Sequence, residues 1–417
     1  MKKKSSTYHF LLNVFSLFSV KGIELFVTIL LIPYLIFKVG LTNYGLYAFA
    51  LALVLFLVNT TNYGFDLTAV RELARSNGNR KKINQLFNEV FSVKLYLTGF
   101  MILLMLILIF SVPSFTSNKD VYLFSSFLLI GDLFSLRWFF MGLEKMKYLP
   151  VINLGATLIY VVLVLTVIQQ PNDFEYIILL EGIGMLISGI ISFSIIVNEY
   201  KIKIQLMPFG KVKRYLFANY SSFINLFIPS MVSNTAVFIV GVFSIPAHVS
   251  IIQLGVKFTN AFTTANAVFT KVFYAMVNRK IQLMRKSLTA LIVLGVILSV
   301  VMFLSADILI KPWLKINDPV IEEQIIWVIK LLSPSPFLMA VISAYGVNGL
   351  LVLRKDKLFG QITLFSTGLA LLIGLFLIWN YSYLGGVIFL LTARGLYAIM
   401  SFLFFKRKIM IKGMRQI

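Results

Sequence analysis

The sequence consists of long apolar runs separated by short polar clusters, and this alternation constrains the fold more than any other feature. A helix needs about 20 mostly apolar residues to cross the hydrocarbon core of a bilayer. Twelve runs approach or exceed that length, so we predict an all-α, polytopic membrane protein with about twelve transmembrane helices. The predicted spans are Phe10–Phe37, Tyr44–Asn62, Asn88–Val112, Val121–Met141, Leu149–Ile168, Phe174–Val197, Tyr215–Val242, His248–Val277, Leu288–Ile310, Glu323–Leu350, Leu358–Trp379 and Tyr383–Phe405.

The charged residues indicate how the chain is oriented. Only 13% of its 417 residues are charged, yet the formal net charge is +22. Because the basic residues lie between apolar runs, we expect a membrane location, contact with membrane lipids and no nucleic-acid partner. Alternate loops hold 27 of the 38 Lys and Arg residues and the opposite loops hold 4, so the positive-inside rule predicts that both termini are cytoplasmic.

The most basic interior stretch divides the predicted spans into two sets of six. We therefore predict an N-terminal six-helix bundle over residues 1–200, a cytoplasmic linker over 201–214 and a C-terminal six-helix bundle over 215–417. We expect a hydrated cavity between the halves and alternating access by rocking about the linker. The eighth span, His248–Val277, is the most polar, as expected for a helix that lines such a cavity.

The sequence offers little that could carry enzymatic chemistry. It contains no Cys and only two His, which argues against a metal centre, a cysteine nucleophile or a histidine-based triad. No phosphate-binding loop or nucleophile elbow occurs, and the predicted outer loops are short. We therefore expect a transporter that has no bound cofactor and is not an enzyme.

Ionisable residues within the predicted spans need a physical reason, because each is costly in hydrocarbon. Lys21 and Glu24 lie on one face of the first span, where they form either a neutralised pair or part of a water-filled cavity. Three acids are candidate coupling sites for Na⁺ or H⁺, namely Glu24, Asp132 and Glu181. Lys94 lies near the cytoplasmic end of its span, and we expect it to snorkel.

The second half contains deep cations without an acid at similar depth. Lys257, Lys330 and Arg394 fit a hydrated cavity that receives an anion, although each could instead bond to helix carbonyls. Arg394 lies about eleven residues from either end of its span and is too deep to snorkel. The polar face around Asn260 could bond either to sugars or to neighbouring helices.

Two stretches resemble a known family. Residues 21–75 read KGIELFVTILLIPYLIFKVGLTNYGLYAFALALVLFLVNTTNYGFDLTAVRELAR, and residues 211–243 read KVKRYLFANYSSFINLFIPSMVSNTAVFIVGVF. They resemble the N-terminal signature and the seventh helix of polysaccharide-biosynthesis flippases. These are the O-antigen, capsule and teichuronic-acid exporters of the multidrug/oligosaccharidyl-lipid/polysaccharide (MOP) superfamily.

The resemblance implies a specific substrate and location. It implies a bacterial plasma-membrane flippase that moves undecaprenyl-pyrophosphate-linked oligosaccharide from the cytoplasmic to the outer leaflet, with other polysaccharide-assembly proteins as further partners. Lys21, Lys257, Lys330 and Arg394 match the cationic cavity usual in the family. The alternatives are a multidrug exporter of the same superfamily, which would favour acids in its cavity, and a membrane polymerase or acyltransferase.

Overall fold

The computed structural model describes residue 27 and residues 29–411, except 67, 77, 146, 147, 315 and 317. All regular structure in this part of the chain is helical, and it includes no β-strand. The helices are α1 (Ile29–Val39), α2 (Leu41–Asn62), α3 (Thr68–Ala74), α4 (Arg80–Ser111), α5 (Pro113–Thr116), α6 (Lys119–Phe134), α7 (Arg137–Gly142), α8 (Tyr148–Val167), α9 (Phe174–Tyr200), α10 (Phe209–Phe243), α11 (Pro246–Arg279), α12 (Met284–Leu314), α13 (Pro319–Leu332), α14 (Ser335–Val341), a π-helix (Ile342–Leu351) and α15 (Asp356–Ile411).

The prediction of an all-α, multi-pass membrane protein is confirmed. Among the described residues, seven helical segments are long and apolar enough to cross a membrane, and three shorter apolar helices accompany them. The 34-residue helix α11 is not one of the seven, because its polar residues lower its hydropathy, as the sequence led us to expect. The count of twelve spans and the cytoplasmic termini stay predictions.

Several expected spans are interrupted. The predicted fourth span breaks at Ser135 and Leu136, between α6 and α7. The predicted tenth span is divided into α13, α14 and the π-helix. Its first break falls at Ser333 and Pro334, because proline lacks the N–H that a continuous helix would use. A π-helix is rare and is often found at functional sites.

The chain separates into two compact units, divided after Met231 within α10. In the first unit α6 packs closely against α9. The approach depends on small residues: a Cβ on Gly131 would lie 2.8 Å from Leu186 N, and one on Gly182 would lie 2.9 Å from Leu128 N. In the second unit α12 packs against α14, and α11 packs against α13.

Helix α15 is a helical hairpin. Its two parts meet at Ser382, which has a φ of 54° and a ψ of −128°. The Oγ of Ser382 lies 2.8 Å from His248 Nδ1, so the turn is tied to the start of α11. Thr363 Oγ1 donates a hydrogen bond of 2.8 Å to Tyr397 Oη across the hairpin. The hairpin therefore brings the first and last turns of α15 to the same end of the second unit.

The segment between α9 and α10 is extended and is held along α4. Residues 203, 205 and 207 alternate along this segment, and their backbone N–H groups donate to Asn84 Oδ1, Asn88 Oδ1 and Ser92 Oγ at 2.8, 2.8 and 2.9 Å. Asn88 Nδ2 also donates to Lys203 O at 2.8 Å. Side chains spaced four apart on a helix thus pair with backbone groups spaced two apart on an extended segment. The predicted linker is a clamped segment up to Pro208, and residues 209–214 are helical.

Candidate functional site

Two of the predicted site residues, Lys21 and Glu24, lie outside the described residues. The other six are placed in two units. Asp132 and Glu181 lie in the first unit, and Lys257, Asn260, Lys330 and Arg394 lie in the second.

Arg394 is a buried cation in the second part of α15. The residue is only 7% exposed, and its Nη2 donates one hydrogen bond of 3.3 Å to Ser233 Oγ on α10. Its Nη1 has no hydrogen-bond partner among the described residues. Of the five N–H donors of a guanidinium, the two on Nη1 therefore stay available for an anion. The prediction that Arg394 is too deep to snorkel agrees with this burial.

Lys257 and Asn260 are half-buried on α11. The polar face around them bonds largely to the protein itself: Thr259 Oγ1 donates to Gly255 O at 2.7 Å, and Asn266 Nδ2 donates to Ser343 Oγ at 3.4 Å. Thr259 and Asn266 therefore bond to the protein, which is the structural alternative for this polar face. Lys257 and Asn260 keep the role of substrate contacts as a prediction.

The prediction that Lys330 has no acidic partner is wrong. Its Nζ lies 2.7 Å from Asp307 Oδ2 and 5.5 Å from the ring centroid of Phe303. Lys330 on α13 reaches Asp307 on α12 because the two helices pack together, and the sequence spacing alone does not reveal this packing. The side chains are 22% and 53% exposed, so this pair is not part of a dry core.

The prediction that Lys94 snorkels is also wrong. Its side chain is 1% exposed, and its Nζ lies 2.8 Å from Asp132 Oδ2 and donates to Asp132 O at 2.5 Å. Asp132 is thus half of a buried ion pair between α4 and α6. A carboxylate already neutralised in this way is a weaker candidate for ion coupling.

Glu181 is surrounded by tyrosines. Tyr47 Oη on α2 donates a hydrogen bond of 2.9 Å to Glu181 Oε2 on α9. The ring of Tyr44 lies 5.7 Å from the ring of Tyr47. A hydroxyl group can bond to a carboxylate or to a protonated carboxyl, so the hydroxyl of Tyr47 suits a partner that changes its protonation state.

One further acid lies close to the buried ion pair, in the turn that follows α2. Asp66 keeps contact with solvent, but the surrounding protein desolvates its carboxyl and raises its pKa above the usual range. Lys94 lowers this pKa and Asp132 raises it further. Asp66 therefore belongs to the same electrostatic group as the Lys94–Asp132 pair.

Sequence reasoning missed a buried polar cluster in the second unit. Asn348 on the π-helix is fully buried, and its Nδ2 donates to Ser343 O at 3.3 Å and to Thr270 O at 3.4 Å. Ser343 also accepts the hydrogen bond from Asn266. The available signal was the presence of polar side chains within an otherwise apolar predicted span. The cluster ties α11 to the π-helix.

Comparisons with known proteins agree on a family and a fold. Residues 10–276 match the family described as polysaccharide biosynthesis protein. A candidate O-antigen transporter of Escherichia coli K12 is 27% identical over 402 residues, with 94% of this chain and 95% of that protein covered. A second candidate O-antigen transporter, from Shigella dysenteriae, is 30% identical over 189 residues, covering 45% of this chain and 47% of that protein.

The fold is shared with a transporter of known structure. An inward-facing multidrug-resistance transporter of the MATE family, in the MOP superfamily, superposes with a TM-score of 0.68. The alignment covers 94% of this chain and 96% of the other, at 13% identity. At that identity the likeness shows a MATE-like fold alone.

Proposed function

Because the chain belongs to the polysaccharide biosynthesis protein family, we propose that it is a flippase for undecaprenyl-pyrophosphate-linked oligosaccharide. It would move this lipid from the cytoplasmic to the outer leaflet by alternating access. The similarity to candidate O-antigen transporters supports a role in polysaccharide transport, and relatives that are transporters favour transport over an enzymatic activity. A multi-pass fold is consistent with a location in the bacterial inner membrane.

The observation that carries the proposal is the state of Arg394. A buried guanidinium with one long hydrogen bond and an Nη1 without a described partner is costly unless an anion compensates it. A pyrophosphate presents several acceptor oxygens, and the planar fork of arginine matches such groups in a bidentate manner. Organic cations, the substrates expected of the multidrug alternative, would be repelled by this group.

The other candidate residues contribute unequally to the proposal. Lys257 and Asn260 are half-buried on α11 and remain proposed contacts for pyrophosphate and sugar. Lys330 is a weaker candidate because Asp307 already neutralises it. Lys21 keeps its proposed role from the sequence.

We propose Glu181 as the coupling group for H⁺ or Na⁺ among the described acids. Tyr47 on α2 donates a hydrogen bond to its carboxyl group, and the buried ion pair with Lys94 makes Asp132 the weaker candidate. Glu24 remains a candidate on the sequence alone.

The test compares Arg394→Ala and Arg394→Lys with Arg137→Ala, a control that removes an exposed arginine of the same chain. Loss of a charge-assisted contact should weaken substrate affinity by about ten- to hundredfold, equivalent to about 1.5–3 kcal/mol. Surface glycan should therefore fall sharply in the Arg394→Ala strain, while the control exports normally.

Membrane abundance must be measured in the same strains, because loss of the protein would point to a structural role for Arg394. Partial recovery by Arg394→Lys would show that charge matters more than the planar fork. Normal glycan export by Arg394→Ala at normal abundance would contradict the proposal, and drug efflux that depends on Arg394 would favour the multidrug alternative.

A further inference from the structure

A second cationic feature lies at one end of the α15 hairpin, away from Arg394. A cavity of about 570 Å³ opens between the turn before α15 and its final turns. Four basic side chains line it, together with one amide and two apolar side chains. The lining residues are Arg354, Lys355, Lys357, Leu358, Gln361, Phe404 and Arg407.

The local backbone explains why these residues meet. After the π-helix, Arg354 has a φ of 56°, in the left-handed region that non-glycine residues rarely adopt. Its N–H donates to Leu351 O at 2.9 Å, and the N–H of Lys355 donates to Leu350 O at 2.9 Å, so the helix ends here. The hairpin then returns Arg407 to this turn. Two basic stretches that are some fifty residues apart in sequence thus share one cavity.

No acidic side chain is among the described residues that line this cavity. Within the described part of the chain, none of the four basic side chains forms an ion pair. By contrast, a cavity of about 270 Å³ in the first unit is lined by Arg75 and Lys82 together with Glu72 and Glu89. Four cations around one cavity repel one another, and an anion bound between them would relieve that repulsion.

The position of the cavity indicates what kind of anion fits. It lies where both ends of the membrane-crossing segment Asp356–Arg407 emerge, and the positive-inside rule assigns these ends to the cytoplasmic side. Leu358 and Phe404 give the cavity an apolar wall beside the cations. A phosphate attached to a hydrocarbon chain would contact the cations through its oxygens and the apolar wall through its chain. Basic pockets between membrane helices bind anionic lipid head groups in this way.

We propose that this pocket, lined by Arg354, Lys357 and Arg407, binds the phosphate-bearing head group of a membrane lipid. Two lipids supply this chemistry, an anionic phospholipid of the inner leaflet and a polyprenyl diphosphate. The first makes the pocket a structural lipid site and is independent of the proposed function. The second makes it an entry site for the substrate and rests on that proposed function.

The test measures lipid binding to the purified, full-length protein by native mass spectrometry. Phosphatidylglycerol and undecaprenyl diphosphate are the two probes, each offered in competition with zwitterionic phosphatidylethanolamine. The double variant Arg354→Gln with Arg407→Gln removes one charge from each side of the pocket. The control, Lys211→Gln with Arg214→Gln, removes two exposed charges of α10 that do not line this pocket.

We expect the wild type and the control to prefer an anionic probe, and the pocket variant to lose about tenfold or more of that preference. A loss confined to phosphatidylglycerol identifies a structural phospholipid, and a loss confined to undecaprenyl diphosphate identifies an entry site. Should the first variant fail to fold, Lys357→Gln with Arg407→Gln gives the same test, because it also removes one charge from each side.

Two results would overturn the proposal. One is a wild-type protein that shows no preference for either anionic probe. The other is an equal loss of binding in the control, which would mean that only overall charge matters. Arg394→Ala should leave phosphatidylglycerol binding intact even if it weakens binding of undecaprenyl diphosphate at the Arg394 site. Failure of the pocket and failure of the proposed transport are therefore read separately.

Discussion

Lys94 on α4 and Asp132 on α6 form an ion pair, with 2.8 Å between Nζ and Oδ2 and side chains that are 1% and 9% exposed. The pair lies where α4 and α6 pack together in the first unit. Removing one partner would leave an uncompensated charge in a buried position. The two charges look unrelated in the sequence, but the ion pair gives them a joint structural role.

Breaking this pair should destabilise the protein strongly. Asp132→Asn should lower the free energy of unfolding by about 3–5 kcal/mol, whereas Lys94→Met with Asp132→Leu should be nearly neutral. Glu199→Gln is a matched control, since it breaks the more exposed pair with Lys145 and should change stability by less than about 1 kcal/mol. Thermal unfolding in detergent measures all three. Equal effects of Asp132→Asn and Glu199→Gln would contradict the prediction.

The clamp between α4 and the extended segment should depend on Asn88. Asn88→Ala removes the acceptor of Gln205 N and the donor to Lys203 O, and should weaken the attachment by about 1–3 kcal/mol. Gln85→Ala is the control, because its exposed side chain donates a hydrogen bond to Glu89 on the same helix and takes no part in the clamp's described hydrogen bonds. Limited trypsin digestion should cut faster after Lys203 in Asn88→Ala. Unchanged cleavage would show that the clamp is not needed to hold the segment.

If Glu181 is the coupling group, replacing it should abolish energy coupling but leave folding intact. Glu181→Gln keeps an acceptor for Tyr47 but removes the titratable group, so abundance should stay near normal. In proteoliposomes, flipping of a lipid-linked sugar by this variant should no longer respond to an imposed pH or Na⁺ gradient. Lys94→Met with Asp132→Leu, which should fold normally, should keep that response. A Glu181→Gln variant that still responds to the gradient would remove Glu181 from the mechanism.

Variants of the Lys330–Asp307 pair can distinguish a structural role of Lys330 from a role in substrate binding. Because the pair is partly exposed, its removal should change stability by only about 0–1 kcal/mol. If the lysine acts only through the pair, Lys330→Met and Asp307→Asn should give the same surface-glycan level. A loss of export in Lys330→Met alone would instead return Lys330 to the substrate site.

Much of the fold follows from the sequence because the bilayer imposes simple rules. Runs of about 20 apolar residues predicted membrane helices. The basic clusters predicted which ends of these helices face the cytoplasm, and that orientation stays a prediction. The polar character of α11 and the isolated depth of Arg394 were also visible, since both depend on position along one helix. The breaks at Ser135 and Ser333 were less visible, because apolar runs read as continuous where the backbone is not.

The sequence by itself determined that this chain is an all-helical membrane protein of the polysaccharide biosynthesis family with an arginine deep in its last predicted span. Only the tertiary structure decided which charges are neutralised. Asp132 pairs with Lys94, 38 positions earlier, and Lys330 pairs with Asp307 on the preceding helix. The basic pocket likewise joins Arg354 to Arg407 through a hairpin. The physical reason is that helical periodicity is local, whereas an ion pair or a cavity depends on which helix faces pack together.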